Sequence, residues 1–299
     1  MTRFPVLVGA LTVLGILAAG CDLVDLPIEV EPAPSQLVVS SVMGPNQSLL
    51  VTVSRSFSAL SATDVDSLSS DFINRLLVER AGVFLGHGGR ADTLFNLFDI
   101  PGLYGGDLSA LEPYQRLDLT VFDSLTGETV SATTELLPPV ALEAVSLAEE
   151  INDQGDTTTV LAYQFADPPG ENYYALHAYN LPSLSALDSL FVDDERNPVL
   201  RNDEELVFYE TLITDQAFTD AVIADTVRIP FVAVNDTIAV ALSHISEGFF
   251  RFLEARRRTG GLVSSLANEP VNHPSNVIGG LGFFSAHQPR AVVVEKSVE

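Results

Sequence analysis

The chain has 299 residues, 46% of them hydrophobic, and its 40 acidic against 15 basic side chains give a formal net charge of −25. Such an acid excess repels phosphate backbones, which nucleic-acid binding has to neutralise, so DNA and RNA are excluded as partners and anionic headgroups are repelled as well. A single Cys rules out a disulfide framework and thiolate metal sites, and the fold must be held by packing.

The first element is a leader. Behind Arg3, Val6 to Ala19 is apolar but only 14 residues long, and a helix needs about 20 to cross the hydrocarbon layer. It runs into Leu17-Ala18-Ala19-Gly20-Cys21, a lipobox: small residues let the backbone enter the peptidase cleft, and the Cys behind them takes the diacylglyceryl group. Residues 1–20 therefore read as a lipoprotein signal peptide and Cys21 as the acylated N-terminus of the mature chain. One acyl chain binds a membrane only marginally, whereas the two or three of a bacterial lipoprotein hold it stably. Loss of Arg3 makes the mature chain one unit more acidic. Asp22 retains some lipoproteins in the inner membrane, so the leaflet stays open. The basic residues are Arg apart from Lys296; a high-salt habitat and a GC-rich genome account equally well for that bias.

Residues 21–35, acidic and Pro-containing without period, read as a flexible tether. Leu37 to Val42 and Leu49 to Ser54, separated by Gly44-Pro45-Asn46-Gln47, form a predicted hairpin in which Leu49, Val51 and Val53 face one way. Leu117, Leu119 and Val121 alternate with polar residues ahead of a Thr126-Gly127 turn and a further run, Thr129 to Leu136. Short strands with frequent turns predict a β-sandwich over 36–139, ended by Pro138-Pro139. Residues 140–299 repeat the pattern. Thr159, Leu161, Tyr163 and Phe165 alternate, Asp167-Pro168-Pro169-Gly170 turns the chain into Tyr173 to Leu181, and Leu206 to Ile213, Val227 to Val234 and Ile238 to Leu242 read as strands. Ser183 to Glu205 is an acidic excursion. A helix is predicted over 246–259, capped by Ser246, with Phe249, Phe252 and Leu253 on one stripe and Gly260-Gly261 as its stop. The expected fold is mainly β, an immunoglobulin-like sandwich followed by a second β-rich domain with one helix.

Candidate chemistry is sparse. His87, His177, His244, His273 and His287 lie at least 14 residues apart, without HExxH spacing, and no local metal motif is present. Gly86-His87-Gly88-Gly89 is similar to an esterase oxyanion loop, yet no GxSxG nucleophile elbow accompanies it. Asn152 to Asp156 has alternating oxygen ligands but lacks the later Glu of a Ca²⁺ loop, and a hairpin turn fits it better. Arg256-Arg257-Arg258, the only dense basic spot, sits where a helix macrodipole stabilises cations, and docking of an acidic partner loop is its other reading. No cofactor, catalytic residue or metal ligand is assigned. Carboxylates brought together by folding remain possible acids and bases.

The stretch 268–284, Asn-Glu-Pro-Val-Asn-His-Pro-Ser-Asn-Val-Ile-Gly-Gly-Leu-Gly-Phe-Phe, resembles the C-terminal signature of a lipoprotein family known as domain of unknown function forty-two-forty-nine. Within it Asn276, Gly279, Gly280, Gly282 and Phe284 carry the likeness. Two upstream motifs occur in the family's order: Asp167 and Gly170 before Asn172, Tyr173 and Tyr174, and then Asp215 with Phe218. The resemblance implies an N-terminal immunoglobulin or carboxypeptidase-regulatory sandwich, which Gly102-Leu103-Tyr104 and Tyr114 to Leu119 fit. It also implies a place in the cell envelope, at the outer membrane, and a TonB-dependent outer-membrane transporter as neighbour, with no established reaction. The expected function is that of a lipid-anchored, non-enzymatic accessory or binding subunit; the alternatives are a lipid-anchored hydrolase using Asp and Glu, or a surface glycan- or peptide-binding protein. The 268–284 stretch itself is expected to be a strand wedged into the sandwich beside the helix, with Phe283 and Phe284 giving one ring to each face; its other reading is a ligand-contacting loop.

Overall fold

In Leu37–Met43 (β1) and Ser48–Arg55 (β2) alternate side chains are apolar or small, so each strand can bury one face. They pair antiparallel from Leu37↔Arg55 to Met43↔Leu49, the hairpin expected from the sequence, and bury Leu37, Val39, Leu49, Val51 and Val53. The computed structural model describes residues 34–43, 48–57, 75–108, 110–151, 157–180, 207–218, 221–230, 232, 237–258 and 273–296. The lipobox, the tether up to residue 33, Gly44 to Gln47, Asn152 to Asp156, the acidic excursion, Gly260-Gly261 and residues 268–272 of the signature lie outside the described residues.

Five more strands complete the first half: Ala81–His87 (β3), Arg90–Asn96 (β4), Leu103–Asp107 (β5), Arg116–Asp123 (β6) and Thr129–Glu135 (β7). Val83, Leu85, Leu117, Leu119, Val121 and Val130 from β3, β6 and β7 meet the buried face of β1 and β2 in one core. β4 and β5 join the two layers through only two residue pairs, Phe95↔Gly105 and Asn96↔Tyr104. The Gly86-His87-Gly88-Gly89 stretch is the β3–β4 hairpin. Gly88 and Gly89 both have positive φ, as a two-residue type I′ loop requires, and His87 donates from Nε2 to Asp92 at 2.6 Å.

The second half is a three-on-four sandwich. Leu142–Ile151 (β8), Thr157–Ala166 (β9) and Val222–Ile229 (β12) form one sheet in the order β12-β9-β8; Tyr173–Asn180 (β10), Val207–Thr214 (β11), Thr237–Ile245 (β13) and Arg290–Glu295 (β16) form the other, ordered β11-β10-β13-β16. First, second and fifth strands thus face third, fourth, sixth and seventh, an immunoglobulin-like arrangement. Leu161, Phe165, Tyr174, Leu176, Ile223, Ile238, Val240 and Leu242 fill the space between. β12 departs from the strand expected over Val227 to Val234: it ends at Ile229 because Pro230 has no N–H to continue the ladder with β9. Glu247–Arg258 (α1) follows β13, with the Ser246 hydroxyl accepting from the Phe249 N–H at 3.3 Å. Its Phe249 and Leu253 pack on Ala175, Ile245 and Phe283.

The described part of the signature, residues 273–284, adds its strands to the first sandwich and not to the second. Val277–Ile278 (β14) pairs antiparallel with β7, and Leu281–Phe283 (β15) pairs parallel with β1. One short segment therefore supplies both terminal strands of the nine-stranded order β14-β7-β6-β3-β4-β5-β2-β1-β15 and closes the first sandwich on itself. The crossing from one layer to the other falls at Gly279-Gly280, and the approach is close. A Cβ on Gly280 would lie 2.5 Å from the Leu37 carbonyl oxygen, and one on Gly282, at φ 100°, 1.9 Å from that of Val39. Asn276 pins the segment, donating to the carbonyls of Thr133 (3.2 Å) and Phe284 (2.7 Å) and accepting from the Phe284 N–H (2.8 Å). Ser41, which breaks the apolar alternation of β1, does so because its hydroxyl exchanges hydrogen bonds with both backbone groups of Ser285. The two rings divide as expected: Phe284 enters the first core and Phe283 packs under α1.

Asn276→Ala should lower stability by about 2–3 kcal/mol, since it strips three bonds and leaves partly buried backbone groups unsatisfied. Gly282→Ala should cost more, because no backbone adjustment short of separating β15 from β1 admits the methyl group. Urea denaturation of the two variants beside the parent checks both the size and the order of these losses.

Candidate functional site

The motif residues around Asp167 assemble at one end of the second sandwich. Asp167 follows β9, its N–H donating to the Ala221 carbonyl at 2.8 Å, and its carboxylate accepts from the Tyr174 hydroxyl and from the Asn172 side chain at 3.3 Å. Asn172 is buried, and the same amide group reaches the carbonyls of Pro168 (2.6 Å) and Gly170 (3.3 Å), holding the turn from inside. Gly170 has φ 119°, a conformation side chains rarely adopt. Across the turn, the Asn172 N–H donates to the Asp215 carboxylate at 2.7 Å and the Asp215 N–H returns to the Asn172 carbonyl at 3.2 Å. Asp215 opens a 3₁₀ turn, Asp215–Ala217, after which Phe218 packs against the second core. Two motifs, 43 residues apart from Asn172 to Asp215, thus close one loop.

Tyr174 and Tyr173 point to opposite faces of β10. Tyr174 is fully buried, edge-on to Phe165 (centroids 4.8 Å) and 5.3 Å from the His244 ring. Burial, reinforced by the bond to Asp167, pushes its phenol well above the usual value. Burial also pushes His244 down, against the bond its Nδ1–H donates to the Pro138 carbonyl at 3.3 Å. Tyr173 lies over Phe250 of α1 and donates to Glu171, which raises its phenol to about 12. Glu171 also accepts from the Gln216 amide.

An open cleft of about 650 Å³ lies against this turn, lined by Asp167, Glu171, Asp215, Gln216 and Phe218 among others. It presents three carboxylates, each already accepting hydrogen bonds from the chain itself. Chemically the cleft suits hydrogen-bond donors or cationic groups. Among the described residues, no set of three or more His, Cys, Asp or Glu side chains is placed to hold a metal.

A second polar cluster escaped sequence reasoning. Glu210 on β11 stands opposite His177 on β10, with His177 Nε2 at 3.5 Å and Arg256 of α1 at 3.3 Å. Burial alone would push the Glu210 carboxyl up, but His177, Arg256 and Arg257 outweigh it and hold it below the ordinary carboxylate value. Arg256, read as part of an exposed basic spot, is thereby turned inward, while Arg258 pairs with Glu254 on the helix surface. His287 is buried beside Phe249, its Nδ1 without a hydrogen-bond partner, and desolvation together with the charge of His177 pushes it down to about 3. The residues span more than a hundred positions, and no spacing announces them.

Tyr174→Phe should cost about 1–3 kcal/mol, because it leaves the Asp167 carboxylate short of a donor; thermal unfolding reads this directly. For His287 the unfolded chain takes up a proton near 6.5 and the folded chain does not. The stability gained by keeping the ring neutral is complete above pH 6.5 and drains as pH falls from there toward 3, by up to about 1.4 kcal/mol per unit. His287→Leu should therefore flatten the acid side of the stability curve between 6.5 and roughly 4.5. Denaturation midpoints across that range that run parallel for variant and parent would refute the assignment.

No curated protein matches the chain. Among solved structures it is similar to the FN1–FN3 domains of chicken CNTN1, at 11% identity over 90% of this chain and 70% of that one with a TM-score of 0.25. It is also similar to the chicken interferon gamma receptor alpha chain, at 10% identity over 89% and 99% of the two chains with a TM-score of 0.21. The strand order itself carries the assignment of the fold. The profile of the domain of unknown function DUF4249 matches residues 24–291, a span that includes the first sandwich, the second sandwich up to the start of β16, the Asp167 turn and the closing segment. With its motifs locking those two places, the chain belongs to the DUF4249 family.

Proposed function

We propose that the protein is a lipid-anchored lipoprotein of the bacterial cell envelope, held at the outer membrane through Cys21, and that it acts as a non-enzymatic accessory or binding subunit of a TonB-dependent transporter. The observation that carries the role is the employment of the family's polar motif residues. Asp167, Asn172, Asp215 and Asn276 each spend their side chains on bonds that fix a turn or close a sandwich, which is the work of a scaffold. The lipobox at Leu17 to Cys21 supports the location. The acidic surface supports a partner other than nucleic acid.

One observation favours a second reading, a hydrolase: Asp167, Glu171 and Asp215 line a cleft open to solvent. On that reading Glu171→Gln abolishes turnover of a glycan or ester substrate without unfolding the chain. On the scaffold reading the same variant leaves co-purification of partners unchanged.

Cys21→Ala should block lipid labelling and move the protein out of the membrane fraction, because two acyl chains at about 0.8 kcal/mol per buried methylene dominate its membrane affinity. A tagged native chain, pulled from envelope solubilised in mild detergent, should bring down an outer-membrane transporter identifiable by mass spectrometry. Its recovery alone would overturn the accessory role.

A further inference from the structure

We infer that one end of the first sandwich docks directly on the lipid bilayer, inserting a rim of apolar side chains at the headgroup boundary. The inference rests on the lipid-anchored reading for its geometry, and it adds a second, non-covalent contact with the same membrane.

Leu37 pairs with Arg55, Ala81 with Asp123 and Thr129 with Phe122, so the start of β1 shares one end of the sandwich with the β4–β5 and β6–β7 turns and the Gly279-Gly280 crossing. Large apolar side chains gather there in the open: Phe98 is 78% exposed, Ile278 74%, Phe95 72% and Leu125 67%. Large exposed apolar side chains gathered at one end of a fold mark an interaction site. Phe98 is moreover held in a conformation that bulky residues avoid, at φ 56°. The loop enforces it through the Leu97 N–H to the Leu103 carbonyl (2.9 Å), the Ile100 N–H to that of Leu97 (3.0 Å) and the Asn96 amide to that of Ile100 (2.7 Å). Phe98 and Asp99 (φ 55°) together make a tight two-residue turn, and it leaves the Phe98 ring in solvent.

The place where the tether enters the sandwich points to the bilayer as the partner of this rim. Pro34 to Gln36 lie at this same end, with Ser35 and Gln36 bonded to Ser56. The 13 residues from Cys21 to Ala33 span at most about 45 Å, so lipid on Cys21 keeps this end of the sandwich within that reach of the bilayer. The charged groups at this end set the kind of bilayer: Arg55 bridges two carboxylates, Asp123 and Glu128, and Asp99 is exposed beside Phe98, so the rim keeps a negative balance and favours uncharged lipid. Binding to a neutral bilayer is driven by apolar area and not by attraction to anionic lipid.

The chain has no Trp, so a single introduced indole reports its own surroundings. Phe98→Trp and Leu125→Trp reporters, and a Tyr114→Trp control at the opposite end of β6, are reconstituted as full acylated chains into phosphatidylcholine vesicles with brominated acyl chains. Indoles seated at the headgroup boundary should be quenched about twofold at 98 and 125, and the control should be unaffected. Bound chains that show no quenching at 98 and 125, or equal quenching at all three positions, would overturn docking while leaving the anchor intact. Cys21→Ala chains that bind vesicles as tightly as the acylated parent would overturn the anchor instead, and quenching at 98 in whatever fraction of them still binds would sustain docking on its own.

Discussion

Closure of the first sandwich depends on how near one backbone comes to another. β1 would be an edge strand with free N–H and C=O groups if the segment from Ser275 to Phe284 did not run alongside it, and β7 would be an edge on the other side. A single two-strand segment removes both edges, which works only if the chain can step between layers within two residues. Gly279 and Gly280 make that step, and Gly282 lets β15 lie against Val39 where any side chain would collide with its carbonyl. The remaining contacts, Asn276 on Thr133 and Phe284 and Ser41 on Ser285, stabilise a path that the glycines make sterically possible.

The same segment ties the two halves of the chain together. Phe284 fills the first core, Phe283 packs beneath α1, and six residues later Arg290 begins β16 in the second sandwich. Residues 33–299 accordingly form one compact unit. Polar groups in its interior are tolerated because they are paired. Lys296, buried at the end of β16, donates to the Val232 carbonyl and to Glu149, and Glu210 is held between His177 and Arg256. An unpaired buried charge would cost several kcal/mol. His287 avoids that cost by staying neutral.

Much of the fold was legible in local pattern. Leu49, Val51 and Val53, or Thr159, Leu161, Tyr163 and Phe165, alternate cleanly because one side of each strand meets a core and the other meets water. β4 was not legible, because only Leu94 of its seven residues is buried and its sequence carries no period. β12 lies earlier than the strand read from the apolar run, because Pro230 has no N–H to carry the ladder with β9 further. Of the candidate site, the Asp167 to Tyr174 turn was visible as a motif. Its bond to Asp215, and the gathering of His177, Glu210, Arg256 and His287, were not, since partners tens of residues apart, 43 for Asn172 and Asp215, leave no spacing to read.

The sequence by itself determined the β-rich class, the β1–β2 hairpin and the helix with its Ser246 cap, because each follows from the preferences of neighbouring residues. Tertiary structure alone decided that the closing segment belongs to the first sandwich and not to the half in which it lies along the chain. That choice is made by two free strand edges and two hydrophobic cores competing for Phe283 and Phe284, and such a competition exists only after the sheets have formed.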